Sequence, residues 1–288
     1  MSRFAGVLGL NRRELELIAP KNPRDRMIQI AQSKVNTKRL LEANDIPVPK
    51  TYAVLSTRRE LSTFAWELPD DFALKPSGGG RGCGIVVMVG RHGDGWRTFS
   101  GRPVTRRELA FHVIAILTGD FSREARSDVA HFEQRLSSSL DITGNPTTGL
   151  PDVRVIVCDG RPLMAMSRIP TLASDGKANL HQGAVGVGID IPTGLTTHAV
   201  HDGQPCTQHP DTKHDLIGAR VPHWERFLDL AMRAAVLSGL GYTGVDLVLD
   251  DGLGPAILEI NARPGLNIQI ANLTGLRDAL TALKVAGS

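Results

Sequence analysis

Residues 241–267, GYTGVDLVLDDGLGPAILEINARPGLN, decide the reading of this chain. Two β-rich runs, residues 245–250 and 255–261, flank Asp251-Gly252-Leu253-Gly254, whose Asp and Gly content suits a hairpin loop. Pairing the runs across that loop opposes Asp250 to Pro255, Val248 to Ile257 and Asp246 to Glu259. Side chains alternate along a strand, so Asn261 shares the face of Glu259. Val245, Leu247, Leu249, Ala256, Leu258 and Ile260 line the opposite, core-facing side. Like charges opposed on a sheet repel, so Asp246 and Glu259 require an exposed rim or a cation between them. Two carboxylates and an amide carbonyl are hard oxygen donors that suit Mg²⁺ or Mn²⁺ carrying a phosphate. A solvated hairpin face is the alternative, since carboxylates are usually exposed.

Asn261-Ala262-Arg263-Pro264-Gly265 closes the second run in a Pro-Gly turn and sets the Arg263 guanidinium beyond the acidic face, suited to a carboxylate or phosphate. The segment GVDLVLDDGLGPAILEINARPGL resembles the metal-binding part of the ATP-grasp superfamily, whose pattern is an Asp on one strand and Glu-x-Asn-x-x-Pro-Gly on the next. Within it the likeness is to ribosomal-protein-S6-type glutamate ligases and the related α-L-glutamate ligase-like proteins. The resemblance implies Asp246, Glu259 and Asn261 as metal ligands.

Bulk properties narrow the alternatives. A chain of 288 residues, 41% hydrophobic and 22% charged, reads as an ordinary globular protein able to bury one large core or two lobes. A net charge of +3 is too small on this length to argue for nucleic acid. The three cysteines, Cys83, Cys158 and Cys206, are odd in number and without metal-ligand spacing, which points to a reducing compartment and not to a disulfide framework. No run approaches the ~20 apolar residues of a membrane span, and the N-terminal MSRFAGVLGLNRRELEL acquires charge too early for a signal peptide. A cytoplasmic chain with neither membrane nor nucleic acid as a partner is expected.

Upstream, residues 12–18 and 26–44 read as helices separated by Pro20 and Pro23. The second ends in Asp45-Ile46-Pro47-Val48-Pro49, before the β-like residues 51–55. A helix closing into such a Pro-rich segment resembles the start of an ATP-grasp domain, and the likeness picks out Lys34 as a nucleotide contact; a solvated helix lysine is the alternative. Residues 72–87, FALKPSGGGRGCGIVV, deliver Lys75 on a short strand, then a glycine-dense loop, then an apolar strand. Gly79, Gly80 and Gly82 permit close backbone approach, so that N–H groups can turn around phosphate oxygens, with Lys75 as the point charge. The loop is neither a Walker loop nor a dinucleotide fingerprint. Its order resembles the phosphate-covering loop of ATP-grasp enzymes, against the alternative of a flexible hairpin tip.

Thr105 and Glu108 form a capping box that opens a helix over residues 105–118. Residues 129–136, VAHFEQRL, resemble the segment that holds adenine in the family, with Glu133 in the acidic place and Asp141 in the following loop as a candidate for the ribose. Residues 152–158 and 161–169 flank Asp159-Gly160, a strong hairpin signal that opposes Val153 to Ser167 and Arg154 to Met166. This pair resembles a corresponding hairpin of the glutamate ligases, which implies Arg154 and Arg168 for a substrate carboxylate or transferred phosphate; two surface arginines are the alternative. KANLHQGA, residues 177–184, is similar to the N-L-H-x-G-G of the same enzymes and implies Asn179 beside the phosphate-bearing metal, with Ala184 in place of the second glycine. The tract containing His198, His201, Cys206, His209 and His214 matches no zinc-ligand spacing. A helix over residues 224–240 carries Phe227, Leu228, Ala231, Ala234, Ala235 and Leu237 on one face, and residues 274–285 form a last helix.

The resemblance implies an α+β fold, two lobes of antiparallel sheet plus helices enclosing a nucleotide cleft. It divides the chain into a helical extension, residues 1–33, a glycine-loop part, residues 34–130, and a metal-bearing lobe, residues 131–288. It implies an ATP-dependent carboxylate–amine ligase acting on an amino acid or peptide. A substrate carboxylate would attack the γ-phosphorus of ATP to give an acylphosphate, and an amine held near Arg263 or Arg168 would displace phosphate. A kinase phosphorylating a small-molecule hydroxyl and a non-catalytic nucleotide-binding module are the alternatives. Contacts that a preceding domain makes in many such ligases would come from the N-terminal helices or from a second copy in a homo-oligomer.

Overall fold

The computed structural model describes residues 6–31, 33–79, 82–98, 100–122, 126–138, 149–174 and 176–285. The fold is α+β, with two antiparallel sheets in two compact units. Gln32–Asn36 and Pro49–Leu136 make one unit; Met1–Ala31, Thr37–Val48 and Ser137–Ser288 make the other. Residues 37–48, which the sequence boundaries put with the glycine loop, thus group with the hairpin of residues 242–261. Ile257 N donates to the Pro47 carbonyl at 2.9 Å, and Arg233 Nη2 donates to that of Asn44 at 2.9 Å.

The smaller unit holds β1 (Thr51–Leu55), β2 (Asp71–Pro76), β3 (Val86–His92), β4 (Gly95–Thr98), β5 (Pro103–Val104) and β6 (Ala130–Glu133), in the order β1-β6-β2-β3-β4-β5. Its helix Arg106–Thr118 begins with the expected capping box: Thr105 Oγ1 accepts from Glu108 N at 3.2 Å, and Glu108 accepts from Thr105 N at 2.7 Å. Leu109, Val113 and Ile116 of that helix join Phe72, Leu74, Met88, Trp96 and Phe132 in one buried cluster. Phe72 meets Trp96 edge-on at 5.3 Å. That core fixes the β2–β6 pair, in which Lys75 stands opposite His131 and Ala73 opposite Glu133.

The larger unit holds β7 (Asp152–Cys158), β8 (Arg161–Ile169), β9 (Val185–Ile189), β10 (Thr196–His201), β11 (Gln204–Cys206), β12 (Tyr242–Asp250) and β13 (Gly254–Asn261), in the order β11-β10-β9-β8-β7-β12-β13. Every residue of β12 is buried, so both of its faces are covered. The helix Trp224–Ser238 supplies much of that cover through Trp224, Phe227, Leu230, Ala231, Ala234 and Ala235; Leu228 and Leu237, expected on this face, are only partly buried. Residues 10–31 form short α-helical turns around two π-helical turns, Glu14–Ile18 and Met27–Ala31. The continuous helix expected over residues 26–44 is accordingly divided, its regular part being Lys34–Glu42.

Two buried amides tie this N-terminal segment down. Asn22 Nδ2 donates to the carbonyls of Tyr242 and Ala262 at 2.7 and 3.1 Å, and its Oδ1 accepts from Tyr242 N at 2.9 Å. Gln269 Oε1 accepts from Leu8 N and Leu276 N, both at 2.9 Å, while its Nε2 donates to the Leu8 carbonyl at 3.0 Å. Each amide satisfies backbone groups that would otherwise be buried without partners.

The β12–β13 hairpin corrects the expected register near its tip. Gly254, at φ 68°, joins β13 and pairs with Asp250, so Leu249 meets Pro255 and the loop shortens to Asp251-Gly252-Leu253. A glycine adopts that left-handed conformation without a steric penalty. Asp250 stabilises the short loop: its Oδ1 accepts from Gly252 N and Leu253 N at 3.0 and 2.9 Å. Further along, the register shifts between Asp246 and Leu247, with Leu258 as the extra residue of a bulge. The bulge compensates the shortened loop, and Asp246 still pairs with Glu259.

Candidate functional site

Each unit gathers a group of the singled-out residues. In the smaller one, β2 and β6 bring Lys75 and Glu133 into an ion pair, both side chains largely buried. His131 Nε2 lies 3.1 Å from Thr51 Oγ1, and its Nδ1 lies 3.8 Å from Glu133 Oε2. Lys34 Nζ donates to the carbonyls of Ser77 and Gly79 at 3.3 and 2.6 Å, which ties this lysine to the start of the glycine loop. Asp128 accepts from Gly78 N with both oxygens, at 2.8 and 3.0 Å. Gly82, at φ 74°, has the left-handed backbone its residue type permits. Gly80 and Asp141 lie outside the described residues.

In the larger unit, four side chains of alternating charge run across three strands. Arg154 on β7 donates to its cross-strand partner Asp246 on β12 through Nε and Nη2, at 2.7 and 2.6 Å. Arg168 on β8 donates Nε to Asp152 Oδ1 at 2.7 Å and Nη2 to Asp152 Oδ2. The same Nη2 reaches Asp246 Oδ2 at 2.9 Å. On the far side of β12, Asn261 Nδ2 donates to Asp246 Oδ2 at 3.2 Å, and Glu259 stands opposite Asp246. Gly244, two residues before Asp246, is required by close approach: a Cβ there would come within 2.7 Å of Pro264 Cβ.

The electrostatics follow from burial and pairing. Asp246 is 3% exposed; burial opposes its ionisation, but the Arg154 and Arg168 guanidiniums outweigh that and hold its pKa below the ordinary carboxylate value. Asp152 is also buried but has only Arg168 as a bidentate partner and lies beside the Asp246 charge. Burial, which Arg168 only partly offsets, pushes it up to about 6. Burial works against the charge on Arg168, and Asp152 and Asp246 together more than restore it. With all five ionised, Asp152, Asp246 and Glu259 against Arg154 and Arg168 leave one net negative charge.

The donor chemistry suits a divalent cation. Asp246 Oδ1 accepts only from Arg154 Nε among the described residues, so one of its acceptor positions remains. Glu259 opposite and the Asn261 amide add hard oxygen atoms. Among the described residues, no group of three or more His, Cys, Asp or Glu side chains is arranged for a metal, so such an ion would depend on the Asn261 amide. The histidine tract holds a structural residue instead: buried His209 has its Nε2 3.0 Å from the Pro170 carbonyl, and its Nδ1 accepts from Asp211 N and Thr212 N, both at 3.3 Å.

Two more of the residues singled out from the sequence have partners of their own. Arg263 is paired with Glu14 of the N-terminal π-turn, at 2.8 and 3.2 Å, and lies toward solvent. Asn179 Oδ1 accepts from His181 N at 3.1 Å and caps the 3₁₀ turn Leu180–Gln182. Next to that turn lies a cavity of about 310 Å³, lined by Leu180, His181, Val200, Asp202, Asn267 and Ile270 among others. Asp152 is not among the residues the sequence brings forward, although the expected opposition of Val153 to Ser167 already sets it across from Arg168, as the β7–β8 register has it.

The family model described as sugar-transfer associated ATP-grasp matches residues 12–285. No curated protein matches the chain. Among solved structures, the chain is similar to the ATP-grasp ligase PsnB complexed with a minimal precursor, at 18% identity over 93% of this chain and 64% of that one, with a TM-score of 0.46. It is similar to D-alanine–D-alanine ligase from Bacillus anthracis at 15% identity over 89% of this chain and 70% of that one, TM-score 0.43. For L-amino acid ligase from Bacillus licheniformis the identity is 14% over 88% of this chain and 48% of that one, TM-score 0.47. The chain thus spans 64% of the length of the PsnB chain and less than half of the last. Among the described residues, no helix is long and apolar enough to cross a membrane.

Proposed function

From the chain's membership of the sugar-transfer associated ATP-grasp family, we propose that it is an ATP-dependent carboxylate–amine ligase acting on an amino acid or peptide. The observation that carries the reading is the Arg168–Asp152, Arg154–Asp246 ladder with Glu259 and Asn261 at its end. Asp246, Glu259 and Asn261 would hold Mg²⁺ or Mn²⁺. When bound, that ion would neutralise phosphate charge. Lys34 and Lys75 would meet phosphate oxygens as point charges, Lys75 by exchanging its bond to Glu133 for a more negative partner. Gly79 and Gly82 would line that contact, with Glu133 beside the base.

Arg154 and Arg168 supply donors that need not be created at the moment of reaction, because Asp246 and Asp152 already fix both guanidiniums. They would orient the substrate carboxylate that attacks the γ-phosphorus and stabilise the acylphosphate oxygens. An amine would then displace inorganic phosphate and form the amide, so no nucleophilic side chain is required.

The family's description, sugar-transfer associated, brings in a sugar-bearing substrate, and the second reading is phosphoryl transfer from the same nucleotide site to a hydroxyl of such a molecule. Both are tested by one screen, in which ADP release is followed over amino acids, dipeptides and sugar phosphates and the products are weighed by mass spectrometry. A ligase needs an amine for full turnover and yields an amide; a kinase yields a phosphate ester without an amine. ADP release with no acceptor dependence at all overturns both.

A further inference from the structure

Arg13 belongs to the N-terminal segment and is 7% exposed, yet among the described residues it makes no ion pair, Glu14 feeling its charge only from farther off. Its Nη1 donates to the Pro264 carbonyl at 2.5 Å, while its Nε is fully buried and makes no hydrogen bond. The nearest acid in sequence, Glu14, is turned to Arg263, which engages both of its oxygens. A buried guanidinium satisfied by a single neutral carbonyl is costly, because charge removed from water needs a counter-charge or a full set of acceptors.

One other donor stands at the same turn. Arg154 uses Nε and Nη2 on Asp246, and its Nη1 lies 4.0 Å from where a Gly265 Cβ would be.

We propose that Arg13, with Arg154 Nη1, forms an oxyanion subsite at the Pro264–Gly265 turn that takes a carboxylate or phosphoryl group of a small molecule. The subsite rests on the ligase reading in sharing Arg154 with it, while Arg13, to which that reading gives no role, is what the test isolates. Arg263, the residue of this turn that the sequence brings forward, is neutralised by Glu14 and leaves the task to Arg13.

The test is thermal unfolding of wild type, Arg13→Met and Arg13→Lys against increasing inorganic phosphate and, in a separate arm, succinate, each in saturating Mg-ADP. Wild type should gain melting temperature with one of the two anions, phosphate if the subsite takes a phosphoryl group and succinate if it takes a carboxylate. Arg13→Met should lose that anion-dependent gain, while calorimetry gives the same Mg-ADP affinity as wild type. A merely structural arginine would lower the starting melting temperature and leave the gain intact, which overturns the proposal, as does the absence of any gain in wild type. Should Arg13→Met not fold, Arg13→Lys carries the test: losing the planar fork weakens half-saturation by roughly tenfold, and an unchanged value overturns the proposal.

Discussion

Asp246 and Asp250 lie on the same face of β12 and are equally buried, at 3% and 4% exposure, yet they are held in opposite ways. Both oxygens of Asp250 accept backbone N–H groups, from Gly252, Leu253 and Ser137, at 2.9 to 3.0 Å. Among the described residues, Asp246 meets only side chains: Arg154, Arg168 and Asn261. Backbone donors fix a loop and cannot leave without unfolding it. Side-chain donors can exchange a carboxylate for a ligand. The tip of the hairpin is therefore held by backbone donors, and its mouth by side chains that a ligand could displace.

The sharpest way to break this contrast is to neutralise each aspartate. Asp246→Ala leaves two buried guanidiniums short of a partner and should cost about 3–5 kcal/mol together with all turnover. Asp250→Ala should cost about 1–3 kcal/mol and leave turnover measurable, since only backbone donors lose their acceptor. Urea unfolding and ADP release on both variants check this; an equal loss of activity in the two would erase the distinction. Replacing Arg154 and Asp246 together by leucine should recover most of the stability without activity, as expected if the pair is retained for chemistry.

A pH series sharpens the comparison within the ladder. The folded pKa of Asp152, about 6, lies above its unfolded value of about 4, so its contribution to stability is fully present below about pH 4 and is lost as pH rises past about 6. Asp246 has the opposite sign: its folded pKa is lowered, so its contribution is present above the unfolded value and lost as pH falls through the folded one. Asp152→Asn has no proton to lose. Its stability relative to wild type should improve between pH 4 and pH 7 by on the order of 2 kcal/mol, read from unfolding midpoints. A difference that stays flat across that window contradicts the assignment.

Smaller effects are expected at the turn. Gly244→Ala would press a Cβ to 2.7 Å from the Pro264 ring and should cost about 1–3 kcal/mol. Arg263→Ala removes an ion pair whose members are 47% and 38% exposed and should change stability by less than about 1 kcal/mol. A clear fall in turnover at unchanged stability would return Arg263 to the substrate, where the sequence alone would have it.

What the sequence made legible was local. Alternating β-rich runs and the Asp159-Gly160 turn announce two hairpins, and the Thr105–Glu108 box announces a helix start, because each depends on neighbours in the chain. The β12–β13 pairing of Asp246 with Glu259 agrees with the alternation of the two runs even though the loop is one residue shorter than Asp251-Gly252-Leu253-Gly254 suggests, because the bulge at Leu258 compensates. Neither the bulge nor the left-handed Gly254 leaves a periodic trace. Arg168 with Asp152 follows from the hairpin register about Asp159-Gly160. The ion pairs between runs not joined by a turn were not legible: Arg168 reaches Asp246, and Lys75 finds Glu133, through strand order that residue spacing does not encode. The same holds for Glu14 with Arg263, where partners 249 positions apart meet because Asn22 and Gln269 anchor the N-terminal segment.

The central claim is that the acids facing each other on β12 and β13 hold the cation that brings a nucleotide to the chain. Calorimetry with ATP in the presence and absence of Mg²⁺, on wild type and Glu259→Gln, tests it most directly, because half-buried Glu259 can be neutralised without stranding either guanidinium. Wild type should bind ATP with a large Mg²⁺-dependent gain in affinity that Glu259→Gln loses while remaining folded. Equal Mg²⁺-dependent binding in the two proteins would contradict it.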